Sequence, residues 1–524
     1  MDGVQMSDRI QILIAMSSYM AVIIGIGIYF AKRANKNPEN YFIGGRSLGP
    51  WVSALSAEAS DMSGWLLMGL PGVAYWIGVS EAAWTAIGLA LGTYLNWLIV
   101  AKRLRNYSHV ANDSFTIPDF FSNRFREKKK AILTISALFI LIFFTVYVGS
   151  CFVTCGKLFS NLFGMPYISM VILGAVFVLG YTFLGGFLAE SVSDLLQAIV
   201  MIFALVTVFI LGSYAAGGIS NIFENVKNIP GFLDFFFSAS PTVENGVQVV
   251  KDSAPVFGEA QRFGWITIVS TMAWGLGYFG VPQVLLRFMA IRDPQELKKS
   301  RRIATVWVLI SLTAAVFIGL VGRNIYPTAF LSANEAESIF ILISQKLLPP
   351  LAAGIVMAGI LAATISSSDS YLLIAASAVA KNIYQGTIKK DADDKKVLFA
   401  TRITLVIITI IGVLIALDEE SIIFEIVSFA WAGFGATFGP LLLFSLFYKR
   451  TTYHGAIAGM LSGGLSVFTW KLGISKLGGV FAVYELLPSF IISCIFIFVV
   501  SQFTEKPGEE ILDDFEKAKE LSKA

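Results

Sequence analysis

Ser60-Asp61-Met62-Ser63-Gly64 lies between Trp51-Val52 on one side and Leu66-Leu67-Met68-Gly69 on the other, with Pro71 and Gly72 just beyond. A carboxylate that deep in an apolar run is costly unless a partner or cation compensates it, so an ionisable group there is a functional suspect. Glycine and proline nearby predict an interrupted helix, whose freed backbone carbonyls can hold a cation. The combination is a transport signature rather than an enzyme signature.

The rest of the chain supplies the solvent for that reading. Of 524 residues, 56% are hydrophobic and 14% charged, against about 25% charged in an average soluble domain. The 46 glycines and 43 phenylalanines suit a bundle of membrane helices, where small residues let backbones approach. About thirteen apolar stretches reach bilayer length. They fall near 10–30, 48–75, 79–100, 131–156, 167–186, 194–214, 265–288, 304–322, 350–380, 402–417, 424–448, 454–471 and 480–502. The acidic start (Asp2, Asp8) argues against a cleaved leader. No P-loop, Ser/His/Asp triad, zinc spacing or nucleic-acid module is visible. Cys151, Cys155, Cys494, His109 and His454 form no metal motif, and ordinary packing accounts for the cysteines.

Lys and Arg give a direction. With the N-terminus outside, the cytoplasmic pieces are 31–47, 101–130, 287–303, 381–402, 449–453 and the tail after 502; these hold 30 of the 39 basic residues. The long segment 215–263 holds only Lys227, Lys251 and Arg262. Positive charge gathers on the cytoplasmic side, so the C-terminus is expected inside.

Spans two to six and seven to eleven make two sets of five. Five is odd, so the second set enters from the opposite side, as an inverted repeat requires. Each set opens on a stretch rich in Gly and Pro, 61–76 and 274–282. The expected fold is an all-α integral membrane protein of about thirteen transmembrane helices around an inverted five-plus-five core. Its pieces are 1–47 (outside terminus, first helix and link), 48–214 (first repeat), 215–263 (extracellular loop), 264–448 (second repeat), 449–503 (two peripheral helices) and 504–524 (cytoplasmic tail). Segment 326–349 reads as an extracellular lid, and 508–522 as a tail helix without evident chemistry.

Sodium prefers oxygen ligands, and carbonyls at a helix break facing hydroxyls of another helix provide them. Ala363 lies on the same face as Ser366, with Ser367 beside it, and Asp61 brings formal charge. The plainer account has Ser and Thr satisfying local carbonyls while Asp61 caps a half-helix. Trp274 and Tyr278 share a face, continued by Pro282. They form either a surface that closes over a small solute or an interfacial aromatic belt. Tyr147 is ambiguous in the same way. Asp194, with Gln197, is either a helix cap or a second cation stop. Arg46 is either a gating partner for a cytoplasmic-side acid or an orientation charge.

Longer strings then carry a resemblance. Tyr41-Phe42-Ile43-Gly44-Gly45-Arg46-Ser47-Leu48-Gly49-Pro50, Ser60 through Gly72, Trp274 through Pro282 with Arg287-Phe288-Met289-Ala290, and Trp431-Ala432-Gly433-Phe434-Gly435 with Gly439-Pro440 are the stretches concerned. From about residue 10 to 503 the chain resembles the sodium/solute symporter family, in its proline branch. The resemblance implies sodium held by the carbonyls of Ala59, Met62 and Ala363 and the hydroxyls of Ser366 and Ser367. It makes Asp61 the acid essential for coupling, and Tyr147, Trp274, Tyr278 and Pro282 the substrate pocket. Asp194 becomes a transient sodium stop, and Asp369 a structural or exit-path residue. Ser367 stands where relatives often carry Thr, which preserves the oxygen. It further implies alternating access, Na+ and L-proline as cargo, a lipid-embedded monomer in a bacterial cytoplasmic membrane, and no nucleic acid. The rivals are the same machine with another cargo (pantothenate, a sugar, another amino acid) and an uncoupled membrane sensor or channel.

Overall fold

With no water in the bilayer to bond their backbones, apolar runs close into helices. The computed structural model describes residues 6–34 and 43–523, with the side chains of 31–34, 184 and 185 left aside. Tyr41 and Phe42 therefore lie outside the described residues. The helices are α1 (Met6–Ala34), α2 (Pro50–Asp61), α3 (Trp65–Ile77), α4 (Val79–Val110), α5 (Ile117–Arg124), α6 (Ala131–Phe163), α7 (Tyr167–Phe183) and α8 (Gly186–Ala215). They continue with α9 (Ile219–Val226), α10 (Trp265–Met272), α11 (Pro282–Ala290), α12 (Pro294–Ile325), α13 (Ala333–Ala336), α14 (Ile339–Leu347) and α15 (Pro350–Ile388). The last five are α16 (Asp394–Ile415), α17 (Ile423–Phe447), α18 (Tyr453–Leu477), α19 (Leu486–Phe503) and α20 (Glu509–Lys523).

Among the described residues, 10 helices are long and apolar enough to cross a membrane unaided. The other three expected crossings are the broken pairs α2–α3 and α10–α11 and the short α7, so the thirteen spans are accounted for. Gly186 separates α7 from α8: its φ of 58° with ψ −177° is a conformation that a side chain would oppose.

The two sets of five run from α2 to α8 and from α10 to α17, the second inverted relative to the first, and each begins with a broken span. Burial shows where the core sits. α15 and α17 are 83% buried along their apolar stretches, whereas α1 is 22% buried and turns Ile10, Leu13, Ile14 and Val22 outward to lipid. The 215–263 segment folds as α9 followed by three two-stranded antiparallel ladders, in register Phe237↔Arg262, Val243↔Gln248 and Val250↔Pro255. It closes over the start of α4 through Val79 N–H to the Phe232 carbonyl (2.8 Å) and the Trp84 indole to the Phe235 carbonyl (2.8 Å). The expected lid is two short helices, α13 and α14.

Candidate ion and substrate site

α2 ends because Met62 leaves helical geometry (φ −87°, ψ 61°). An unbroken helix would pair the Ser63 N–H with the Ala59 carbonyl. Here Ser63 donates to Asp61 instead (3.1 Å), and Leu66 restarts the chain on the Ser63 carbonyl (3.0 Å). The Ala59 carbonyl accepts the Ser366 hydroxyl at 2.8 Å and the Ser367 hydroxyl at 3.4 Å. Ser366 also reaches the Ala363 carbonyl of its own helix (3.1 Å). Four of the five oxygens expected around an ion are therefore adjacent, joining α2 to α15, and Met62 is buried at the break itself. All are hard oxygen donors. No sulfur or imidazole is among them, so the set suits an alkali cation better than a transition metal.

Asp61 stands beside this junction. Its Oδ2 accepts the Tyr278 hydroxyl (2.6 Å), and its carbonyl accepts the Tyr147 hydroxyl (3.4 Å). Its Oδ1 is buried without a hydrogen-bond partner. One turn earlier Glu58 repeats the pattern: Oε1 accepts the Trp97 indole (3.3 Å) and Oε2 has no partner. Glu58 is absent from the candidates drawn from the sequence, although a charge in Ala57-Glu58-Ala59 is the same signal as Asp61.

Trp65, Tyr147, Trp274, Trp431, Leu89, Val427, Asp61 and Met62 line a cavity of about 10 Å³, room for about one water. Trp274 is packed on four sides, with ring centroids 5.5 Å from Trp65, 5.3 Å from Phe424, 6.2 Å from Trp431 and 5.4 Å from Tyr484. The Trp431 indole donates to the Trp274 carbonyl (2.7 Å). It fits only because position 277 is glycine, since a Cβ there would lie 1.9 Å from Trp431 Nε1. Beyond Trp274 and Phe424 a vestibule of about 890 Å³ opens on the side of the 215–263 segment. Phe424 is fixed there by Glu337, which accepts the Ile423 and Phe424 N–H groups (both 3.0 Å) and pairs with the buried Lys157 (2.8 Å). The aromatic group thus separates a wide vestibule from a nearly filled site. Pro282 stands apart, opening α11 and lining a different small cavity with Ile117, Ile140, Leu286 and Leu373.

Asp194 is not a cap. α8 begins at Gly186, two turns earlier, so the carboxylate lies inside the helix, where it accepts the Ser56 hydroxyl (2.7 Å) and pairs with Arg287 (3.2 Å). Arg287 also binds Glu190, Ser56 (2.9 Å) and Ser370 (2.9 Å). Arg287, a cytoplasmic loop charge by its place in 287–303, is fully buried. Asp369 adds a third carboxylate, and Glu190 Oε2, Asp194 Oδ1 and Asp369 Oδ2 all lack partners. Glu190 and Asp369 border a cavity of about 10 Å³. Arg46 donates to Ser108 Oγ (3.1 Å) and to the carbonyls of Met289 and Ser114 (both 2.7 Å).

Residues 41–463 match the sodium:solute symporter family. The chain belongs to that family. It is a secondary transporter, not an enzyme. Among its relatives, the sodium/proline symporters of Staphylococcus aureus strains USA300 / TCH1516 and JH9 are each 39% identical over 523 residues, 99% of this chain and 97% of theirs. The fold is similar to the substrate-bound outward-open state of a Na+-coupled sialic acid symporter (TM-score 0.74, 18% identity, 95% of this chain and 99% of that one). It is also similar to a nucleobase-cation-symport-1 family transporter in a closed conformation (TM-score 0.51, 12% identity, 92% and 100%). At 18% and 12% identity both likenesses are of fold alone, and what those proteins carry is their own.

Proposed function

We propose that this sodium:solute symporter couples entry of Na+ to uptake of L-proline by alternating access. The observation that carries the reading is the junction of the Ala59 carbonyl with the Ser366 and Ser367 hydroxyls at the break after α2. A cation entering there is held by Ala59, Met62, Ala363, Ser366 and Ser367, and ties α2 to α15. Asp61, with one unpartnered oxygen, supplies the negative field and holds Tyr278 in place. Tyr147 and Trp274 line the solute pocket with Trp65 and Trp431, Tyr278 serves it from behind through Asp61, and Pro282 acts from the start of α11 rather than from the pocket wall.

Solute arrives through the vestibule and displaces Trp274 and Phe424. Closing them again and parting the opposite end releases both cargoes. Asp194, beside Glu190 and Asp369, is the next stop for the cation, and Arg46 ties the closed end together. The repeats run over 48–214 and 264–448, flanked by the pieces drawn from the sequence. The protein works as a monomer among lipids in the bacterial cytoplasmic membrane, N-terminus outside and C-terminus inside. One Na+ with a zwitterionic solute moves net charge, so an inward-negative potential contributes about 2.3 kcal/mol per 100 mV.

Competition tests the cargo. Uptake of labelled L-proline should fall with excess unlabelled proline and hold against excess pantothenate or a hexose. Trp274→Ala should raise the KM for proline at least ten-fold. Equal inhibition by the unrelated solutes would refute the assignment.

A further inference from the structure

The tail helix α20 is docked rather than loose. Phe515 is buried, its ring 6.2 Å from that of Tyr107, with the Arg103 and Arg124 guanidinium groups 5.0 and 5.5 Å from its centroid. Ala518 is buried on the same face, and Asn106 Nδ2 donates to the Leu521 carbonyl (3.1 Å). At the water-facing edge Arg126 pairs with Asp514 (2.9 Å) and with Glu510. The acidic start of α20 therefore lies on 101–130, which carries eight Lys and Arg, more than any other loop.

The surface beneath it is a hub. Arg103 donates to the Leu446 carbonyl and Arg124 to the Ser445 carbonyl, both at 3.1 Å, capping the end of α17. Arg105 donates to the Ile291 carbonyl just past α11 (2.8 Å). Arg46, ahead of α2, donates to Ser108. The last turns of α4, with Arg124 of α5, thus gather the ends of α2, α11 and α17, and opening this end must part them.

We propose that α20 is an ionic-strength-sensitive clasp, so that the transporter also senses salt on the side its tail faces. Docked, the helix holds this end closed and slows transport. The Arg126, Glu510 and Asp514 contacts are exposed and weaken as salt screens them. Phe515 has no such dependence, so the helix loosens before it leaves. The inference rests on the transport reading above and on the tail side being cytoplasmic.

Two measurements test it. In proteoliposomes of the full chain, internal N-methyl-D-glucamine chloride is raised from about 0.1 to about 1 M, shortening the screening length from about 10 to about 3 Å. Sucrose keeps the osmolality constant. Sodium-driven uptake of labelled proline by wild type should rise about three-fold. Arg126→Gln, and a chain ending at Pro507, should start at the high rate and not respond. Arg126→Glu combined with Glu510→Arg and Asp514→Arg should regain the response. An unchanged salt profile in Arg126→Gln would overturn the proposal. Hydrogen exchange of 509–523 in nanodiscs reads docking without transport: protection lost with salt supports the clasp, and protection indifferent to salt refutes it. Absence of uptake in every vesicle would count against the transport reading, leaving exchange to decide the clasp.

Discussion

Ser366 and Ser367 are neighbours on α15, yet both hydroxyls reach one carbonyl, that of Ala59, at 2.8 and 3.4 Å. This is possible because the break after Asp61 takes that carbonyl out of the helix ladder. Ser366 makes the shorter contact and also reaches Ala363. Ser366→Ala should therefore raise the Na+ concentration for half-maximal uptake at least ten-fold, and Ser367→Ala should raise it less, as read from initial rates against Na+. Residues of this kind were legible where charge or hydroxyls interrupt an apolar run. Asp61 was found that way and Glu58 was missed, because no glycine or proline beside it drew attention to a break. Trp65 and Trp431 were missed for a different reason. An aromatic in a membrane helix is ordinary, and only the folded chain shows that Trp431 enters the space left at Gly277 and bonds the Trp274 carbonyl.

The broken helices are the elements on which the account turns, and both were announced by their Gly- and Pro-rich stretches. Their partners were less visible. Asp194 reads as a cap if its helix begins beside it, and the true beginning is Gly186, fixed by backbone geometry that sequence spacing does not reveal. Arg287 reads as a loop charge because it follows an apolar stretch, whereas α11 carries it into the core against Glu190 and Asp194. A buried pair that loses one member leaves an uncompensated charge, at a cost of about 3–5 kcal/mol. Arg287→Leu should therefore lower the thermal midpoint in detergent strongly, and Glu190→Gln added to it should recover part of the loss. A midpoint equal to wild type would show that the cluster is neutralised in some other way.

At the scale of the molecule, hydropathy counts spans well because bilayer thickness sets their length. Thirteen were expected, and all have counterparts, though only ten are long uninterrupted helices. Which side each loop faces comes from Lys and Arg alone. In a background lacking Cys151, Cys155 and Cys494, Asn245→Cys should react with an impermeant maleimide on intact cells. Lys129→Cys should react only after permeabilisation, and the reverse pattern would invert the topology. The docking of α20 was not legible, since amphipathicity tells that a helix has an apolar face and not what lies beneath it.

The most direct test follows labelled L-proline into proteoliposomes under an inward Na+ gradient and an interior-negative potential, wild type beside Asp61→Asn. Wild type should concentrate proline above the outside level only while the Na+ gradient lasts, and Asp61→Asn should not concentrate it. Equal accumulation without Na+, or by Asp61→Asn, would contradict the claim that an ion at the broken helix drives uptake.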